Sequence, residues 1–184
     1  SSWCSWSGSS EFRVPSSGLV CHETNLRGRY CGSQHSVLGT RHFFVIHLLF
    51  TGGTISMTRD ERAGGNVPTH GGAALVGFAP GLEQIAPYRI DDWGRYPACH
   101  MGPAKLWELR NRVRDAMSDA LGERPQGIVI THGTDTIEET AYLLSRTLEP
   151  EIPVVITGAM RTSSDEGWDG PRNLTDAVRV ADDP

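Results

Sequence analysis

The sequence predicts an α/β fold, a doubly wound and mostly parallel sheet, on three observations. Strand-like and helix-like segments alternate from residue 42 onward. The strand-like segments Phe43–Phe50, Gly127–Thr131 and Pro153–Thr157 are continuous apolar runs, as expected of strands covered on both faces by crossover helices. Each run ends in a short stretch of Gly, Thr and other small residues, the composition of loops at the carboxyl edge of such a sheet.

The elements follow in order. Residues 1–41 are rich in Ser, Gly, Arg and Cys without a sustained helical or strand period, and read as disordered or foreign to the fold. His22-Glu23 lacks the second His of a metalloprotease helix. The domain proper is expected over 42–184. Its first strand, Phe43–Phe50, runs into Thr51-Gly-Gly-Thr54. Residues 56–72 are polar, with Gly64-Gly65, Pro68 and Gly71-Gly72, and predict a mobile loop. A short helix is expected at Ala73–Phe78 and a short strand at Tyr88–Ile90. Pro103 opens a helix in which Leu106, Leu109, Val113, Met117 and Leu121 recur at helical spacing, with Arg110, Arg112 and Arg114 off that stripe and Gly122 as the stop. Gly127–Thr131 is a strand, Ile137–Leu148 a helix and Pro153–Thr157 a strand. Asp169-Gly170-Pro171 starts a last helix with Leu174, Val178 and Ala181 along one face.

Composition removes several classes. The formal net charge is −5; residues 1–41 hold four arginines against two glutamates, so the remainder is at −7, which argues against a nucleic-acid footprint. No run of about 18 apolar residues is present, and the first residues lack the cationic start and apolar stretch of a secretory signal. Cys4, Cys21, Cys31 and Cys99 form no CxxC pair, so neither a zinc site nor a redox motif is expected. One cysteine in the main body points to a reducing, cytoplasmic compartment.

Three loop segments hold the chemistry, and strand ends in a parallel sheet bring them to one crevice. In Thr51–Ser56, two glycines allow a sharp turn and close backbone approach, and Thr54 presents a hydroxyl beside backbone N–H groups: a nucleophile with an oxyanion hole. A Gly-rich strand-to-loop turn without chemistry explains the same residues; a phosphate cradle does not, for want of GxxxxGK[ST] and a nearby lysine. In Thr131–Thr136, Asp135 can pair with a substrate ammonium group. Helix capping by Asp135 or Thr136 is the plainer alternative. His132 reads as a hydrogen-bonded structural residue rather than a base. In Gly158–Arg161 the small residues, Ala159 among them, let backbone line a pocket, and Arg161 is expected to organise its loop with Asp165 or Asp169.

These residues resemble a family. Leu48-Leu-Phe-Thr-Gly-Gly-Thr-Ile-Ser56 resembles the first signature of bacterial-type asparaginases and glutaminase-asparaginases, and Gly127-Ile-Val-Ile-Thr-His-Gly-Thr-Asp-Thr-Ile137 the second. Glu138-Glu139-Thr140-Ala141-Tyr142, Gly158-Ala-Met-Arg161 and Asp169-Gly-Pro-Arg-Asn-Leu174 continue the likeness over about residues 42–184. The resemblance implies hydrolysis of the L-asparagine side-chain amide to L-aspartate and ammonia, with L-glutamine as a second substrate. It implies Thr54 as nucleophile and Thr134 in a supporting Thr–Lys–Asp arrangement. Asp135 would bind the α-amino group, and Gly53, Gly133 and Ala159 would line the pocket. It implies no metal or organic cofactor, and a homo-oligomer at full length.

The departures are specific. The family's lysine lies beyond residue 184, as does its smaller C-terminal domain. No Tyr lies between Thr54 and Tyr88, so Thr58, Thr69 or His70 would replace the family's loop tyrosine. The serine and its neighbour that bind the substrate carboxylate fall at Ala98 and Cys99, costing one contact. Two rival readings remain: the amidase subunit of a tRNA-dependent amidotransferase, and a catalytically incomplete domain that only binds a small amino acid.

Overall fold

The computed structural model describes residues 45–118 and 124–183. All belong to one compact unit, Arg41–Pro184. The expectations for residues 1–41, for Phe43 and for Leu121 and Gly122 lie outside the described residues.

Four strands, β1 (Ile46–Gly52), β4 (Tyr88–Tyr96), β5 (Gly127–Thr131) and β6 (Val154–Thr157), form a parallel sheet in the order β4-β1-β5-β6. The central pair, β1 and β5, is buried along its whole length, which is why both segments read as unbroken apolar runs. Alternation along β1 divides the core. Ile46, Leu48 and Phe50 pack with Leu75 of α1 (Gly72–Gly77), Leu82 of α2 (Leu82–Ile85) and Leu174, Ala177, Val178 and Ala181 of α5 (Gly170–Asp182). Leu49 packs on the other face with Ile128 and Ile130, against Leu109, Val113 and Ala116 of α3 (Pro103–Met117) and Leu144 of α4 (Ile137–Thr147). The sequence-predicted helices and the doubly wound class therefore stand.

Two segments differ from expectation. Residues 57–68 are not loop throughout but an antiparallel hairpin of β2 (Met57–Asp60) and β3 (Gly65–Pro68). Asp60 Oδ1 accepts from Arg62 N at 2.7 Å and Ala63 N at 3.2 Å, and Gly64 takes φ 69°, so the polar residues build the turn. The other is β4, which runs nine residues where three were expected. Its charges hid it, and the fold pairs them. Asp91 accepts from Arg112 Nε and Nη2 at 2.7 and 2.5 Å, and His47 Nε2 lies 3.3 Å away. Arg89 Nε donates to His47 Nδ1 at 2.7 Å, which leaves the imidazole proton on Nε2, facing Asp91. Burial opposes the Asp91 charge, but the hydrogen bonds from His47 and Arg112 outweigh it and hold the carboxyl well below the usual carboxylate range.

Candidate active site

The carboxyl ends of all four parallel strands meet at one edge. Gly52, the last residue of β1, and Gly53 after it take φ 111° and 82°, a backbone that L side chains rarely adopt. Gly53 has no room for one either: a Cβ there would strike Gly133 N and lie 2.5 Å from Gly133 Cα. The turn bearing Thr54 thus rests directly on the turn bearing Thr134. Below them the Thr51 hydroxyl donates to Thr131 O at 2.7 Å, tying β1 to β5. Gly53 N donates to Tyr96 O at 3.0 Å, drawing in the end of β4. A Cβ on Gly133 would lie 2.6 Å from Ala98 Cβ, and one on Gly158 would lie 2.6 Å from His132 O and 3.4 Å from Thr134 Cγ2.

Thr54 opens a single 3-10 turn, Thr54–Ser56, closed by Ser56 N and Oγ on Gly53 O at 3.0 and 2.8 Å. Its side chain is half-buried, as is that of Thr134, which opens a second 3-10 turn, Thr134–Thr136; Asp135 beside it is exposed. Neither Asp135 nor Thr136 caps α4 through its side chain. The Thr136 hydroxyl instead lies 3.5 Å from Ala98 O. Ala98 is buried and offers a methyl group to the site, while Cys99 is exposed and Ala159 is buried behind the edge.

Residues 45–184 match the family model of the asparaginase N-terminal domain. The chain belongs to the asparaginase family. It is 60% identical over 145 residues to a probable periplasmic L-asparaginase of Haemophilus influenzae, covering 75% of this chain and 39% of that protein. It is also 36% identical over 136 residues to one of the subunits of the glutamyl-tRNA(Gln) amidotransferase of Methanobrevibacter smithii, covering 74% of this chain and 30% of that protein. The crystal structure of a probable cytoplasmic L-asparaginase from Campylobacter jejuni superposes with a TM-score of 0.64 at 33% identity, over 76% of this chain and 40% of that one. The chain therefore spans about two-fifths or less of the length of these relatives. Among the described residues no helix is long and apolar enough to cross a membrane.

Around this asparaginase-family edge the polar groups divide by task. His132 is fully buried; its Nδ1 donates to Gly133 O at 2.8 Å and its Nε2 faces the Thr140 hydroxyl at 3.0 Å. Burial lowers its pKa below the ordinary value and outweighs the Gly133 carbonyl and Glu139, so a neutral imidazole braces the second threonine turn. Arg161 bonds across its own loop as expected, but its side chain does so through a carbonyl rather than a carboxylate. Its guanidinium donates to Gly167 O at 3.2 Å, and the loop is held by Asp169, whose carboxylate accepts Met160 N and Arg161 N, both at 3.0 Å, and Asn173 Nδ2 at 2.9 Å. The sole lysine, Lys105, pairs with Glu108 at 2.7 Å and lies over the Tyr96 ring. Of the three candidates to replace the loop tyrosine, Thr69 bonds back to Val67 O, whereas Thr58 and His70 converge on Ser163, a residue that sequence reasoning missed. Among the described residues no group of three or more His, Cys, Asp or Glu is placed to hold a metal ion.

Proposed function

We propose that this chain carries the nucleophile side of an amidohydrolase site that converts L-asparagine, and L-glutamine as a second substrate, to the acid and ammonia through Thr54. The close backbone approach of Gly53 to Gly133 carries this reading, because two hydroxyl-bearing turns in contact could engage one small amide. Thr54 Oγ bonds to the amide carbonyl carbon, the C–N bond breaks, and the hydroxyl proton leaves with nitrogen as ammonia. Water then adds to the ester, releasing the acid and restoring the Thr54 hydroxyl. Backbone N–H groups of the two glycine turns would face the developing oxyanion. Thr134 would steer the transferred proton, and Asp135 would take the α-ammonium group by charge pairing. Ala98 supplies no hydroxyl for the substrate carboxylate, leaving that end of the pocket to Cys99 and its neighbours.

The family resemblance implies a lysine in the Thr134 relay and assembly of several copies around the site. With a single, free Cys99 among the described residues, we place the protein in a reducing compartment. The amidotransferase relative favours a second reading, in which the same chemistry supplies ammonia to a partner rather than to water.

Ammonia release from L-asparagine and L-glutamine, measured on this chain and on the protein extended past Pro184, tests the proposal. Turnover should fall by about a thousandfold or more in Thr54→Ala. Retained turnover would remove Thr54 as nucleophile. Binding of L-asparagine without turnover in either form would leave only an amino-acid-binding domain.

A further inference from the structure

The segment that follows Thr54 is held from two distant parts of the chain. Ser56 O accepts both Thr69 N at 2.8 Å and His70 N at 2.9 Å. Met57 O accepts Ser163 N at 3.0 Å and the Ser163 hydroxyl at 3.1 Å. Arg59 N donates to Ser164 Oγ at 3.0 Å. One imidazole closes this ring: His70 Nε2 lies 2.8 Å from Ser163 Oγ and 3.1 Å from Thr58 Oγ1, and the two hydroxyl oxygens are 3.1 Å apart. With the Ser163 hydroxyl donating to Met57 O, Ser163 Oγ is left to accept from His70 Nε2–H and from the Thr58 hydroxyl.

The imidazole is also wedged. Its ring centroid lies 5.2 Å from that of Phe78, edge-on, and 6.1 Å from that of Trp168. Trp168 in turn backs onto the nucleophile turn, since a Cβ on Gly170 would lie 2.6 Å from Trp168 Nε1 and 2.9 Å from Ile55 Cγ1. His70 therefore touches the hairpin arm, the loop after β6 and the aromatic packing behind Ile55 at once.

We infer that His70 is a positioning residue for Thr54: it locks the β2–β3 hairpin and the 158–165 loop into one frame that fixes the turn on which the nucleophile sits. The inference rests on the reading of Thr54 given above. It gives Thr58 and His70 a different task from that of a loop tyrosine facing substrate, because Thr58 Oγ1 and His70 Nε2 are engaged with Ser163 and with each other.

The test follows the Thr54 methyl signal by NMR together with steady-state ammonia release, in the protein and in His70→Ala, His70→Gln, Ser163→Ala and Thr54→Ala. A displacement of the nucleophile on the order of 1 Å is enough to cost about a hundredfold in rate. We expect His70→Ala and Ser163→Ala to shift or split the Thr54 methyl signal. They should also lower kcat about 10- to 100-fold with KM changed by less than about threefold. His70→Gln, which keeps an N–H at similar reach, should recover a single Thr54 signal and part of kcat. A fall in melting temperature with the Thr54 signal unmoved would overturn the inference. If His70→Ala does not fold, Ser163→Ala and His70→Gln decide it. Loss of turnover in Thr54→Ala alone would leave the hydrolase reading standing without the inference. Full turnover in Thr54→Ala, beside a shifted Thr54 methyl in His70→Ala, would leave the positioning and remove Thr54 as nucleophile.

Discussion

At Gly53 a missing side chain does what no side chain could. Its φ of 82° and its contact with Gly133 require a residue without Cβ twice over, once for backbone conformation and once for space. Gly53→Ala should therefore cost more than about 1 kcal/mol of stability. It should also abolish turnover, read from thermal melts and ammonia release; an unchanged melt would mean the turns are not in contact. His132 makes a second residue-scale test. Its folded pKa lies below the ordinary 6.5, so below that pH the unfolded chain takes up a proton that the folded one resists. Its contribution is complete above pH 6.5 and is lost as pH falls below it. Asp91, held well below its ordinary 3.8, loses its contribution in the same direction but only as pH falls below 3.8. Melting temperatures from pH 8 to 3 should show both declines, with His132→Asn flattening the upper one and Asp91→Asn the lower.

Among elements, legibility tracked how a segment meets solvent. β1 and β5 could be read because burial on both faces leaves nothing but apolar residues. α3 and α5 could be read because one face repeats Leu109 and Val113, or Leu174, Val178 and Ala181. β4 could not, since an edge strand half open to water carries Arg89 and Asp91, whose partners His47 and Arg112 come from other elements. The hairpin over 57–68 was hidden for a related reason, as its ribbon is only half-buried and its composition is that of turns. In the site, the threonine turns were legible as motifs, while the Ser163 knot was not, because it joins Thr58 and His70 to a residue about a hundred positions away. The loop after β6 offers an element-scale test. Asp169→Ala removes acceptors from Met160 N and Arg161 N, so hydrogen exchange at those two amides should rise at least about tenfold while β5 amides stay protected. Unchanged exchange would show that something else holds the loop.

For the molecule as a whole, the sheet order β4-β1-β5-β6 leaves β6 at an edge, with Val154, Val155 and Ile156 only half-buried. A groove of about 310 Å3 lined by Leu144, Leu148, Val154 and Ile156 adjoins it. An open apolar edge of this kind promotes strand pairing between copies. The 184-residue chain by itself should therefore sediment as a mixture of species, and Val155→Lys should raise the monomer fraction; a monodisperse wild-type monomer would contradict this. The same architecture gathers four loops from across the chain at the carboxyl edge of the sheet, and everything chemical depends on that gathering. A crystal structure of the protein soaked with L-aspartate examines it most directly. The ligand should lie across the Gly53–Thr54 and Thr134–Asp135 turns, its side-chain carboxyl beside Thr54 Oγ and its ammonium against Asp135. A ligand bound at another edge, or threonine side chains opening into separate pockets, would contradict a shared amide site.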